Sequence, residues 1–149
     1  MAGRGQQEVL RRVVAIRAAQ QAAAEMRVAR LVRERADLED RATRLAERQA
    51  AEALAWAQAI DARPLDLTRA NAWAAAVGTS RADSRALDQL LQASDTDVDH
   101  ARAELGLALS HMDAAEVRLA NEVRRGQRGR EEARLGQLAD RYAWKAGAP

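Results

Sequence analysis

The chain has 149 residues, 48% hydrophobic and 31% charged, with a net charge of only +2, no Cys and no Phe. The missing cysteines exclude a disulfide framework and thiol chemistry. With one Tyr and three Trp, and with Ala, Leu and Val carrying the apolar content, a broad core is excluded too; long helices that bury a narrow stripe suit such a composition.

The first residues, Met1 to Gly5, are small and polar, and Arg11, Arg12 and Arg17 interrupt the twenty that open the chain. The reading is no signal peptide, no apolar run of ~18–20 residues to cross a bilayer, and a soluble cytoplasmic protein. A first helix is predicted from about Gln6 to Asp61, which at ~1.5 Å per residue is roughly 80 Å. Leu10, Ala24, Leu31, Leu38 and Leu45 fall on one stride of seven, and Val14, Val28, Ala42 and Trp56 on a second, offset by four. Such a split is the seam of a supercoiled helix pair. Arg17, Gln21, Arg35 and Gln49 also fall on the seam lines, where polar side chains lower stability but fix register and partner choice. Off the seam, Glu34, Asp37 and Glu39 lie three or four residues from arginines, as on a solvated helix face.

The stretch Ala62-Arg63-Pro64-Leu65 predicts a bend, because Pro64 disfavours helix at the residue before it and cannot continue the backbone ladder. Asp66 suits the N-cap of a short helix, Leu67 to Val77, and Gly78 suits a left-handed stop. Thr79 or Ser80, with Asp83, would then cap the next helix. That helix is predicted from about Arg81 to Val123, with Leu91, Val98, Leu105, Met112 and Leu119 on one line and Ala101, Ala108 and Ala115 on the other. Gly126, Gly129 and Gly136 each lower helix propensity by ~1 kcal/mol relative to Ala, while Leu135, Leu138 and Tyr142 keep a helical spacing, so 124–145 reads as a frayed or hinged helical extension and Gly147-Ala148-Pro149 as a disordered tail. The expected fold is all-α: a long antiparallel two-helix coiled-coil hairpin with a short helix at the bend. Arm one covers about 6–61, the bend and short helix 62–79, and arm two about 80–145.

Charge is unevenly placed. Residues 1–60 carry 11 Arg and 8 acids, residues 61–117 carry 5 Arg and 10 acids, and residues 118–149 carry 7 Arg, one Lys and 4 acids. A hairpin would therefore have a basic terminal end and an acidic bend end, which can meet different partners. The plainer account is a long solvated surface that alternates charge.

Catalytic and metal patterns fail. His100 and His111 are eleven residues apart, roughly 16 Å along a helix, and cannot share an ion. Asp95-Thr96-Asp97-Val98-Asp99 opens like a calcium loop, but His100 stands where Gly is required and Gly106 where the bidentate Glu is required. No phosphate-cradling Gly-rich loop and no Ser/His/Asp arrangement is present. No cofactor, no small-molecule substrate and no enzymatic activity is expected. The run Arg124-Arg125-Gly126-Gln127-Arg128-Gly129-Arg130 could touch phosphates, but it lacks interleaved aromatics for stacking bases. Only Leu135, Leu138, Tyr142 and Trp144 could serve a membrane-surface helix.

Two long arms around a central break, the segment Leu67-Thr68-Arg69-Ala70-Asn71-Ala72-Trp73 after the bend, and the charged stretch Glu131-Glu132-Ala133-Arg134-Leu135-Gly136-Gln137-Leu138-Ala139-Asp140-Arg141 together resemble the FliJ family of the flagellar type III export apparatus. The resemblance covers nearly the whole chain. It implies a non-catalytic stalk, similar to the central subunit of rotary ATPases, that sits in the hexameric export ATPase FliI and promotes its assembly and activity. It also implies contact with the export gate protein FlhA and with export chaperones, at the inner membrane through those partners. On this chain the ATPase-facing residues would be Arg11, Arg12, Arg17, Arg124, Arg125, Arg128 and Arg134. The gate-facing tip would be Leu67, Trp73 and Val77, unless Trp73 simply plugs the tip. The stalk of a virulence injectisome, and a basic coiled-coil adaptor that binds nucleic acid or anionic membrane, are the alternatives.

Overall fold

The computed structural model describes Ala2 to Gly147, and it is all-helical. Two long helices, α1 (Ala2–Asp61) and α2 (Leu67–Ala146), pack against each other, with no strand among the described residues. Ala148 and Pro149 of the expected tail lie outside the described residues. The chain divides into two units, a bend unit, Met26–Ala103, and a terminal unit made of Met1–Glu25 and Glu104–Pro149.

In the bend unit, α1 turns Val28, Leu31, Arg35, Leu38, Ala42, Leu45, Gln49, Glu52, Ala55 and Ala59 inward, in steps of three and four. Trp56 lies on the same line but stays 36% exposed, while Ala59 beyond it is buried. The facing stripe of α2 runs from Ala70 and Trp73 through Val77, Ser80, Ser84 and Leu87 to Val98 and Ala101 in the same alternating steps. The two arms run antiparallel: Arg35 meets Asp95, Arg48 meets Asp83, and Gln49 meets Ser80. Among the described residues seven buried apolar side chains form the core, and all but Ala115 belong to this unit. In the terminal unit Leu10, Val14 and Ala24 turn inward on α1, and Leu105, Ala108, Met112, Ala115 and Leu119 do so on α2.

The bend is made as the sequence predicts. Arg63 donates from Nη1 to the carbonyls of Ile60 and Ala62 at 3.1 and 3.0 Å, which supplies partners to the open C-terminal end of α1. The Arg63–Pro64 peptide is cis. Asp66 is the N-cap of α2; its Oδ1 accepts from the Arg69 N–H at 3.1 Å, and its carbonyl accepts from Ala70.

Two expectations are corrected. There is no separate short helix over 67–77, because α2 runs through Gly78 without a break and no glycine has a positive φ. The inward stripe explains why: Ala70, Trp73 and Val77 lie before Gly78 and Ser80, Ser84 and Leu87 after it, on continuous lines. A stop at Gly78 would throw those lines out of phase and expose one set. Ser80 is therefore not a cap. It is 1% exposed, with Oγ donating to the Val77 carbonyl at 3.2 Å, the back-bond that lets a hydroxyl sit inside a helix. The helical extension expected over 124–145 is part of α2, which runs to Ala146.

Gly78→Ala tests the first correction. Nothing lies within 4 Å of the new methyl, so the substitution is expected to stabilise the chain by roughly 0.5–1 kcal/mol. Urea unfolding reads the sign; a left-handed cap at Gly78 would give a loss instead.

Candidate functional site

The polar positions of the inward stripe are the first candidate. Arg35 Nε donates to Asp95 Oδ1 across the two arms, and Arg35 Nη1 lies 2.8 Å from Glu39 Oε1 on its own helix. The hydrogen bond from Arg35 to Asp95, then the charges of Asp95 and Glu39, hold the guanidinium above its ordinary value, so it stays charged at every physiological pH. Thirteen residues along, Arg48 reaches Asp83 at 3.0 Å and Glu52 at 3.3 Å. Gln49 Nε2 donates to the Ser80 carbonyl at 2.7 Å. The two cross-arm ion pairs, Arg35–Asp95 and Arg48–Asp83, form together in this alignment and in neither neighbouring heptad register, so as a set they fix register.

Glu52 and Gln7 also face inward, and the sequence reading missed both. The signal was present: Glu52 continues the line of Leu31, Leu38 and Leu45, and Gln7 precedes Val14 by seven. The Glu52 side chain is only 15% exposed, and its Oε2 is buried without a hydrogen-bond partner. Gln7 Nε2 donates to the Glu122 carbonyl at 3.4 Å in the terminal unit.

The arginines expected on one basic end do not form one patch. All seven lie in the terminal unit. Arg17 is half-buried and donates to Gln20 at 2.9 Å, while Arg12 is paired with Glu8. Gln7 lies level with Glu122 and Gly126. Arg17 and Arg128 lie in opposite directions from that level, about 20 Å apart or more along the helices. Arg124, Arg125 and Arg128 do share one open hollow of about 490 Å³ with Asn121, Gly129 and Glu132. Arg125 lies 3.8 Å from Glu122, and Arg134 is outside the hollow.

At the expected tip, the three residues separate. Leu67 is 66% exposed, Trp73 is half-buried, and Val77 is a core residue at 7%. Val77 is therefore withdrawn from any contact surface: it lies on the inward line of α2, one heptad after Ala70.

Beyond Gly126 every side chain described to Lys145 is exposed. Because Gln7 is level with 122–126 and α1 starts at Ala2, α2 has no described stretch of α1 beside it from about residue 131 on. Among the described residues no cluster of His, Cys, Asp or Glu could hold a metal ion, and no helix is long and apolar enough to cross a membrane. No protein-family model, no curated protein and no solved structure matches this chain.

Glu52→Leu extends the leucine line and removes a buried carboxylate oxygen that has no partner. It is expected to raise stability by about 1 kcal/mol or more, whereas Glu52→Ala gains less because it fills less of the seam. Paired urea titrations of the two variants measure the difference.

Proposed function

We propose that this chain is a non-catalytic stalk of a bacterial flagellar type III export apparatus, promoting assembly and activity of the export ATPase FliI and linking it to the gate protein FlhA. The observation that supports this reading most is the pattern of the two helices: each offers one alternating three-and-four stripe, interrupted on α1 by Arg, Gln and Glu and on α2 mainly by Ser. In finer terms the fold is an antiparallel two-helix coiled-coil hairpin, and the polar stripe residues make it a specific pair rather than a sticky one. Long surfaces of this kind bind other helices and present ends to larger assemblies. The resemblance to FliJ at the Asn/Trp-bearing start of α2 and at Glu131–Arg141 supplies the particular assembly.

On this reading the ATPase meets the terminal unit through Arg124, Arg125 and Arg128, whose shared hollow is open. Arg11 and Arg12 lie on the exposed side of α1, with Arg12 partly engaged by Glu8. The gate meets the start of α2 through exposed Leu67, joined by Leu65, which is 47% exposed, and by the open edge of Trp73. Export chaperones use the remaining solvated faces. The protein works in the cytoplasm, held at the inner membrane by its partners. The same chemistry would serve an injectisome stalk.

The test is the ATP hydrolysis rate of the flagellar export ATPase from the same source, with and without the purified chain. Stimulation that saturates below one chain per ATPase subunit is expected; absence of both stimulation and co-elution removes the stalk reading. The variant with Arg124→Glu, Arg125→Glu and Arg128→Glu should lose at least tenfold in affinity for the ATPase while its melting temperature stays unchanged, because none of the three side chains lies on the inward stripe. Sedimentation equilibrium of the free chain should give the monomer mass, since both stripes are satisfied within one chain.

A further inference from the structure

The last turns of α2 leave something for the stalk reading to account for. A single helix without a neighbour is marginal in water, and this one contains Gly129 and Gly136 as well. Yet it concentrates large apolar side chains in the open: Leu135 is 65% exposed, Leu138 41%, Tyr142 72% and Trp144 78%.

Their placement is ordered. Leu135, Leu138 and Tyr142 are spaced by three and four, so they form one stripe on the helix. Arg130, Arg134, Arg141 and Lys145 are spaced by four, seven and four, so they form a second line, directly beside the stripe. The acids do not mirror this. Glu131 and Glu132 sit in the turn nearest the paired part of the chain, where Glu131 opens the line of the stripe, and Asp140 lies with Trp144 on the far side of the helix from the stripe. From Arg134 on, the helix is thus apolar on one side and basic along the edge of that side, with Tyr142 at the distal end of the stripe.

We infer that residues 130–145 form an interfacial helix that lies on an anionic lipid surface. Leu135, Leu138 and Tyr142 enter the boundary between headgroups and acyl chains, with Tyr142 at headgroup depth, where amphipathic rings collect. Arg130, Arg134, Arg141 and Lys145 reach lipid phosphates along the edge of the stripe, with their aliphatic stems against the apolar boundary. Charge complementarity selects the occupant. Four cations in a row beside an apolar stripe match a surface that is anionic outside and apolar just beneath. A nucleic acid would use the cations and leave Leu135, Leu138 and Tyr142 in water. A second copy packed antiparallel would set the two basic lines near each other. Three apolar side chains alone hold a membrane weakly, as do four charges alone, so the two sets act together. The inference goes beyond the stalk reading and does not depend on it: it gives Arg134 to lipid, while Arg124, Arg125 and Arg128 remain on the paired side.

The experiment is co-sedimentation of the full chain with vesicles of phosphatidylcholine alone and of phosphatidylcholine mixed with phosphatidylglycerol, at physiological salt. Two variants accompany it: Leu135→Gln with Leu138→Gln and Tyr142→Gln, and Arg130→Gln with Arg134→Gln and Arg141→Gln. All substituted side chains are exposed and outside the inward stripe, and matching thermal melts would establish that the packed part is intact. The wild type is expected on the mixed vesicles and not on phosphatidylcholine. Each variant should bind the mixed vesicles at least tenfold more weakly, since each basic side chain near an anionic surface is worth about fivefold. Failure of the wild type to bind mixed vesicles overturns the inference. So does unchanged binding by the Leu/Tyr variant, which would make the attraction purely electrostatic. Binding to random-sequence DNA that matches the vesicle affinity and ignores the Leu/Tyr variant overturns it in favour of nucleic acid, and a dimer abolished by that variant overturns it in favour of a second copy.

Discussion

Everything in this molecule depends on how little each helix can bury. An α-helix offers a partner one stripe, and an alternation of threes and fours keeps that stripe facing the same way over many turns. Among the described residues no second layer covers what the stripe leaves out. Stability therefore accumulates thinly along the helices, and each inward position matters mainly to its immediate neighbours. This explains why the turn at 62–66 is so well finished. A pair of arms held by a thin seam depends on the geometry at its one covalent link, and Arg63 and Asp66 close the open ends of both helices there.

The same thinness gives the polar inward residues their meaning. In a deep core an arginine such as Arg35 would be a severe defect. Here its side chain is 38% exposed, so the guanidinium keeps water on one side while it reaches Asp95 and Glu39 on the other. Pairs this exposed add little net stability. Their value lies in the combination: slide the arms by a heptad and Arg48 meets Ala76 or Leu90 in place of Asp83, while Arg35 meets Asp88 in one direction and Arg102 in the other. Glu52 is different in kind. It has a partner for one oxygen and none for the other, so it weakens the seam without a matching gain in register.

The helical class, the bend and most of the stripe were legible from the sequence, because spacing, proline and a capping aspartate act locally. Leu31, Leu38, Leu45, Leu91, Val98 and Met112 all face inward as their spacing requires. Gly78 was misread because its local signal, a glycine followed by Thr79 and Ser80, also suits a stop; what overrides it is a phase relation between Ala70, Trp73 and Val77 on one side and Leu87 on the other. Glu52 and Gln7 are harder to see because each lies one heptad beyond the apolar residues that define its line, Glu52 after Leu45 and Gln7 before Val14. The candidate contact residues were less legible still. Which arginines lie level with one another depends on where α1 begins against α2, and no single helix carries that information. Val77 looked like an exposed tip residue only while α2 was supposed to end there.

The inward lines of both helices mix bulk. In the bend unit α1 contributes Leu31, Leu38 and Leu45 along with Ala42 and Ala59, and α2 contributes Trp73, Leu87, Leu91 and Val98 along with Ser80, Ser84 and Ser94. Neither arm is the bulky one, so tolerance to change should alternate from one inward position to the next. Where the inward side chain is large, change is punished when it shortens; where it is small, change is punished when it lengthens, because interiors already at packing density have no room to give. Lineages of this protein would then keep volume and emptiness at fixed places along each arm, and a chimera whose second arm was shifted by one inward step would hold voids and clashes in turn.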